Sequence, residues 1–180
     1  MTPVQLYGKA ACHRCQGYQA LMLQRQVPFV FRDLKTDEQA AEEIREAFNG
    51  ALPFPVLSID GSWLRNPSHP QLLKRLARHG RYDHPLVHQP LSHRFVKYLP
   101  GEDAVVQYKK KGASLSDGLV LMHIELPQAQ RGKGLGQQIA HGLFEQLIQQ
   151  QIPATLHCSF LKKVARRDPK WQTYFQVPSV

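Results

Sequence analysis

The 180-residue chain has little cysteine, no long apolar run and a shortage of acidic residues. Its three cysteines, Cys12, Cys15 and Cys158, are too few and odd in number for the disulfide framework that holds small secreted domains together. The apolar runs fall far short of the roughly 20 residues a membrane-spanning helix needs. The opening "MTPVQLYG" has no charged start followed by an apolar stretch, as a secretory leader would. The expectation is a cytoplasmic protein with no membrane partner. Asp and Glu number 14 against 23 Lys and Arg, a net charge of +9. The imbalance is uneven, with 10 basic against 7 acidic residues in 1–80 and 13 against 7 in 81–180. The second half holds the basic runs "KKK" (109–111), "QRGKG" and "KKVARR". Such a surface suits nucleic acid, a small polyanionic cofactor, or no ligand at all, simply keeping the chain in solution. Aromatics are not interleaved with these runs as a base-stacking platform requires, so nucleic acid is disfavoured as a partner. Four histidines, at 79, 84, 88 and 93, crowd the middle of the chain. Pro85 and Pro90 break any helical spacing between them, so solvated linker residues are expected and no metal site.

What the chain does contain falls into two patterns with a seam. In residues 1–80, "VQLYG" alternates as a strand and runs into "KAACHRC" and a helix with Tyr18, Leu21 and Met22 on one face. "PFVFRDL" predicts a second strand. "TDEQAAEEIREAFNG" predicts a helix with a Thr36-x-x-Gln39 capping box, an Ala40/Ile44/Ala47/Phe48 stripe and an Asn49-Gly50 stop. "FPVLSIDG" predicts a third strand, with a fourth near Trp63, and Ser68 caps a helix carrying Leu72, Leu73 and Leu76. Residues 81–91, "RYDHPLVHQPL", have two prolines and no period, and read as a linker. In residues 92–180, "HRFVKYL", "DAVVQYKKK" and "GLVLMHIEL" predict an antiparallel meander. A helix with Ile139, Leu143, Leu147 and Ile148 on one face follows, then a strand ending at Cys158 and a short helix.

Two cysteines one turn apart at a helix start have a physical logic. The helix N-terminus stabilises a thiolate on Cys12, His13 and Arg14 add positive charge, and Cys15 lies close enough to resolve a mixed disulfide. Half of a zinc site or two inert thiols are the alternatives, and zinc would need two further ligands that no second C-x-x-C supplies. In the second half, "QAQRGKGLGQQIA" places Gly132, Gly134 and Gly136 where a strand-end loop turns into a helix. Glycines there let backbone N–H groups close on an anion. The same loop can also cap a helix without a ligand, or belong to a dinucleotide fold, although the full G-x-G-x-x-G is absent.

The first half resembles the glutaredoxins of the thioredoxin fold, on "LYGKAACHRC", with Lys9 before the pair, and on "FPVLSIDG", where Pro55 takes the place of the family's cis-proline. The resemblance implies dithiol–disulfide exchange through Cys12 and Cys15, with Lys9 and Pro55 in the partner groove and a thiol or disulfide protein as client or reductant. The aromatic inside the motif and the Gly-Gly-Asp glutathione element are missing; "SWLRNP" follows "IDG" instead.

The second half resembles the GNAT acetyltransferases, and most closely a minimal subfamily of them, on "LMHIELPQAQRGKGLG" and "LHCSFLKKVARRDPKWQTYF". The expected fold is therefore α/β overall, a thioredoxin-like domain followed by a small GNAT-like α+β acyltransferase domain. The second resemblance implies binding of acetyl-CoA through Leu126, Gln130, Arg131, Gly132, Lys133, Gly134, Leu135 and Gly136, and transfer of acetyl to an amine, on a small molecule or a protein lysine. It also implies that Cys158 lies beside the acyl end, with Ser159 standing where the subfamily has proline. Cys158 would then accept the acetyl group, pack as an inert buried thiol, or sense redox state. His157 is adjacent, but on an extended strand it points to the opposite face. His123 and Glu125, alternate residues of one strand, share a face and suit proton handling better. The resulting expectation is a bifunctional redox and acetyltransferase protein, its two activities coupled through Cys158. The rival is a non-catalytic acyl-CoA sensor with a redox docking domain.

Overall fold

Two sheets organise the chain in this computed structural model, which describes residues 2–178. The chain divides into one unit over Met1–Asp83 and another over His84–Val180. Among the described residues, no helix is long and apolar enough to cross a membrane.

The first unit runs β1 (Val4–Gly8), α1 (His13–Gln24), β2 (Phe29–Asp33), α2 (Glu38–Ala47), β3 (Val56–Ile59), β4 (Ser62–Arg65) and α3 (His69–Arg78). Its sheet has the order β2-β1-β3-β4, with β1 parallel to β2 and antiparallel to β3. Side-chain alternation splits the core in two. Leu6, Leu57 and Ile59 pack with Tyr18 and Met22 of α1 and Leu72 and Leu76 of α3. Tyr7 and Val56 pack with Ala40, Ala41 and Ile44 of α2. The strand expected near Trp63 is β4, joined to β3 by Asp60-Gly61, whose φ values of 49° and 80° fit a two-residue hairpin turn. The Ser68 cap forms, with Gln71 completing the capping box. The Thr36–Gln39 box does not. Asp37, one residue on, caps α2 by accepting the Ala40 N–H, and its carboxylate also pairs with Arg32.

The second unit runs β5 (Val87–Gln89), β6 (Arg94–Lys97), β7 (Ala104–Lys110), β8 (Leu119–Glu125), α4 (Leu135–Gln149), β9 (Ala154–Leu156), α5 (Ser159–Ala165) and α6 (Pro169–Tyr174). The sheet order is β5-β6-β7-β8-β9, antiparallel except for the parallel pair β8–β9 that α4 connects. Phe95, Val106, Leu119 and Leu121 pack against Leu143, Phe144 and Leu147 of α4 and Leu161 and Val164 of α5.

Within 81–91, read from the sequence as a linker without a period, Val87–Gln89 between the two prolines forms the edge strand β5. A three-residue strand needs only backbone pairing and leaves no period to detect. His88 is accordingly half-buried rather than free in solvent. It stacks on Phe95 at 4.4 Å and hydrogen-bonds the Tyr108 hydroxyl at 2.8 Å. Burial, aided by the charge of Lys110, lowers its pKa and keeps it neutral. The strand expected to reach Cys158 stops at Leu156, and Cys158 is the N-cap of α5.

Candidate functional site

In the first unit, β1 delivers the chain to the thiol pair. The Cys12 N–H donates to the Lys9 carbonyl oxygen at 2.9 Å, which closes the turn and sets Cys12 as the N-cap of α1. The Cys12 thiol in turn accepts the Cys15 N–H at 3.4 Å. Both cysteines are free thiols. Burial alone would push the Cys12 thiol up. Hydrogen bonds from the Cys15 thiol and from the Cys15 and Arg14 N–H groups outweigh it, with the Arg14 charge, and hold Cys12 below the ordinary thiol value. Cys15 is fully buried, and burial together with its hydrogen bond to Cys12 pushes it up to about 11. Cys12 is thus the more readily ionised thiol of the pair, and Cys15 the one that keeps its proton. Gly8 is required at the end of β1, because a Cβ there would run into the Cys15 sulfur.

The Phe54–Pro55 peptide is cis. The Lys9 ammonium sits 4.4 Å from the centre of the half-exposed Phe54 ring, and the Pro55 carbonyl oxygen accepts the Asn66 N–H. Lys9 and the segment containing Pro55 therefore come together.

In the second unit, β8 leads into the Gly-rich loop and α4. Gly132 and Gly134 have φ of 75° and 80°, values that only glycine adopts at little cost. Gly134 is the N-cap of α4 and supplies no side-chain acceptor, whereas Asp37 and Ser68 do so at α2 and α3. The N–H groups of the first turn of a helix have no intrahelical partner, and they carry positive potential. A cleft of about 340 Å³ opens here. Leu126, Phe160 and Val164 form its apolar wall, and Gly132, Gly134, Gly136, Gln137, Lys163 and Arg167 the rest. Among the predicted binding residues, Leu126 and the three glycines line it. Gln130 instead borders a separate cleft with Pro100 and Gly101. The Arg131 guanidinium donates to the Leu126 carbonyl oxygen at 3.1 Å and pins the loop, while Lys133 is exposed and Leu135 packs against the core.

Gln137, Phe160, Lys163, Val164 and Arg167 of the lining are not among the residues expected from the sequence. For Lys163 and Arg167 the signal was the basic run "KKVARR", but which of its residues face the cleft depends on the rotation of α5 and on the turn of the chain after Ala165.

The structure brings His123 and Glu125 together, with Nε2 to Oε1 at 2.7 Å, and Gln107 Nε2 donates to the same oxygen at 3.3 Å. Their common outward face depends on a bulge. The β7–β8 register shifts between Gln107 and Tyr108, so that Met122 is an extra residue. Leu119 and Leu121 point into the core before it, Ile124 and Leu126 after it. Cys158 does not join this pair. Only 8% exposed, it packs within the core cluster, while His157 is exposed. The pairing of β8 with β9 covers only Leu119–Leu121, after which the His157 and Cys158 N–H groups both donate to the Leu121 carbonyl oxygen and the chain turns away. No group of three or more His, Cys, Asp or Glu among the described residues is arranged to hold a metal ion.

Comparison with known families agrees with this geometry. The glutaredoxin family matches residues 4–64, and the GCN5-related N-acetyl-transferase family matches residues 94–174. Among curated relatives, Protein NATD1 of chicken, mouse and human is 29% identical over 66 residues, which is 37% of this chain. The match spans little more than half the length of those relatives, 57% of the chicken and mouse proteins and 56% of the human one. The chain is of mixed α/β architecture and carries a thioredoxin-like glutaredoxin domain followed by a GCN5-related N-acetyltransferase domain.

Proposed function

We propose that the protein is a bifunctional enzyme, an acetyl-CoA-dependent N-acetyltransferase joined to a thiol–disulfide oxidoreductase. The cleft at the start of α4 carries the first half of this reading. Its positive-φ glycines, uncapped helix start and flanking Lys163 and Arg167 suit a pyrophosphate, and the Leu126 and Phe160 wall suits the apolar arm of the same ligand. Acetyl-CoA supplies an acetyl group activated as a thioester. The acceptor is an amine, on a small molecule or a protein lysine, which must lose a proton as its nitrogen bonds to carbon. His123, held by Glu125, takes that proton. With Nε2 turned to Glu125, Nδ1 is the ring nitrogen left to receive the proton.

Transfer runs directly to the amine, since Cys158 is buried and packed as a core residue. Incubation with acetyl-CoA followed by intact mass and peptide mapping tests this: the expected result is no adduct on Cys158, and acetylation of a panel of amines. Tight CoA binding without turnover on any amine would instead identify a non-catalytic sensor.

In the first unit, the lowered Cys12 thiol attacks a disulfide and Cys15 resolves the mixed disulfide. Pre-reduced protein should lose both thiols to a disulfide substrate, and Cys12→Ser should abolish this. If redox state also governs acetyl transfer through Cys158, turnover will differ between reduced and oxidised protein, and Cys158→Ser will lose the difference.

A further inference from the structure

Phe95, Val106 and Tyr108 point into the core of the second unit, so Arg94, Gln107 and Lys109, which alternate with them, point to the outer face of the sheet. Strand register sets Gln89, Arg94, Gln107 and His123 opposite one another in β5, β6, β7 and β8. The result is a polar row that crosses the sheet from its edge to His123. Gln89 Nε2 donates to the Tyr98 hydroxyl oxygen at 3.3 Å, and Arg94 Nε donates to Gln89 Oε1 at 2.8 Å. Held through Nε, the half-buried Arg94 keeps its two terminal nitrogens for another acceptor. Among the described residues no carboxylate pairs with it. Glu125 is the one acid on this face of β6, β7 and β8, and it is already held by His123 and Gln107. Exposed Lys109 adds a second positive charge. β8 parts from β9 after Leu121, so beyond that point the sheet continues from His123 toward β7 and β6 only. A molecule whose amine meets His123 therefore extends over exposed Gln107 toward Arg94, across two strand spacings, about 10 Å between backbones.

We propose that the acetyl acceptor is an amine carrying a carboxylate several carbon atoms away, and that Arg94 receives this carboxylate while His123 faces the amine. The inference deepens the acetyltransferase reading and rests on it. A half-buried cation without a counter-charge is costly, and a ligand carboxylate removes that cost on binding. The two terminal nitrogens of Arg94 offer the paired N–H groups that a carboxylate takes. In the transfer, the amine nitrogen bonds to the acetyl carbon as the carbon–sulfur bond breaks, and coenzyme A leaves as a thiolate. The proton lost by the amine passes to His123 and then, through solvent, to the thiolate. The carboxylate stays on Arg94 unchanged.

The test compares two acceptors on the full chain at saturating acetyl-CoA, 6-aminohexanoate and its neutral amide 6-aminohexanamide, which differ only at the end remote from the amine. The acid should have the higher kcat/KM by about tenfold, the scale of one charge-assisted contact, with most of the difference in KM. In R94Q the ratio should fall toward one, with the rate on the amide retained. In K110Q, which removes a charge from β7 on the opposite face, the ratio should stay as in the wild type. Hexanoate, a carboxylate without the amine, should compete with the acceptor in the wild type, and hexanamide should not; this measurement depends on no variant. Equal kcat/KM in the wild type, a preference that survives in R94Q or is lost in K110Q, or no competition by hexanoate would overturn the acceptor class and leave acetyl transfer standing. Faster acetylation of a lysine in a peptide without acidic residues than of 6-aminohexanoate would do the same. If CoA binds but neither acceptor nor that peptide is acetylated, the acetyltransferase reading itself fails, and this proposal with it.

Discussion

Gly136 offers the sharpest test of the acetyl-CoA cleft, because its cost to folding and its cost to binding separate. It is the second residue of α4 and is buried. A Cβ there would lie 2.9 Å from Phe160 Cζ, 3.1 Å from Leu126 Cδ1 and 3.3 Å from Phe160 Cε1. Carbon atoms pack best at about 3.5–4.0 Å, so the methyl of Gly136→Ala overlaps both walls of the cleft by roughly half an ångström. Alanine gains about 1 kcal/mol of helix preference over glycine, against about 1–3 kcal/mol for an overpacked site. The net loss of stability should be at most about 2 kcal/mol. Phe160 is only partly buried and relieves the overlap by moving toward the cleft it lines. Affinity for CoA should therefore fall at least about tenfold, the equivalent of 1.4 kcal/mol, while the unit stays folded. Calorimetric titration with CoA reads the affinity. Urea unfolding reads the stability of this unit alone through buried Trp171 in a Trp63→Phe background, since these are the two tryptophans of the chain. A folded Gly136→Ala protein that binds CoA as tightly as the wild type would refute the assignment of this cleft.

Lys163→Ala and Arg167→Ala should each weaken CoA about three- to tenfold in the same titration, and the loss should shrink as salt rises; an effect indifferent to salt would argue against a charge contact. Glu125→Gln should lower kcat for acetyl transfer and shift its pH profile, with KM for acetyl-CoA unchanged, whereas a purely structural role would leave the profile in place. The reduced first unit should lose stability as pH rises from about 9 to about 11, because buried Cys15 ionises at its ordinary value of 9.0 once unfolded but only near 11 when folded. That contribution is fully present below pH 9, amounts to about 3 kcal/mol and should vanish in Cys15→Ala; a pH-independent stability difference between the two proteins would contradict it.

The strand leading into the thiol pair, the Ser68 cap, the strand near Trp63 and the antiparallel meander were all legible, because each is a local pattern with a local cause. The failures also have local causes. Thr36 and Asp37 are adjacent and both can cap a helix, and the choice falls to Asp37, which also pairs with Arg32 four residues before Thr36. β5 consists of three residues between prolines and is defined by its pairing with Arg94–Val96, which composition does not encode. Lys163 and Arg167 join the cleft across some thirty residues of sequence from the glycines. Their basic character was visible, but their direction was not, since it depends on which side of α5 is buried and on where the chain turns after Ala165.

The bulge at Met122 shows why the relation of Cys158 to His123 and Glu125 could not be read from alternation. Counting by twos from Leu119 puts residues 119, 121, 123 and 125 on one face, and so places His123 and Glu125 with the core. One extra residue reverses the parity. The two polar residues then turn outward beside Gln107, and Ile124 and Leu126 take the inward positions. A bulge of this kind costs one ladder position, but it lets a single strand serve two purposes. Its first half builds the core that encloses Cys158, and its second half turns the His123–Glu125 pair outward while delivering Leu126 to the cleft at the start of α4. Were Met122 deleted, His123 and Glu125 would be driven into an apolar layer or the register with β7 would slip. The activity assigned to the outward pair therefore depends on a residue that itself takes no part in the chemistry.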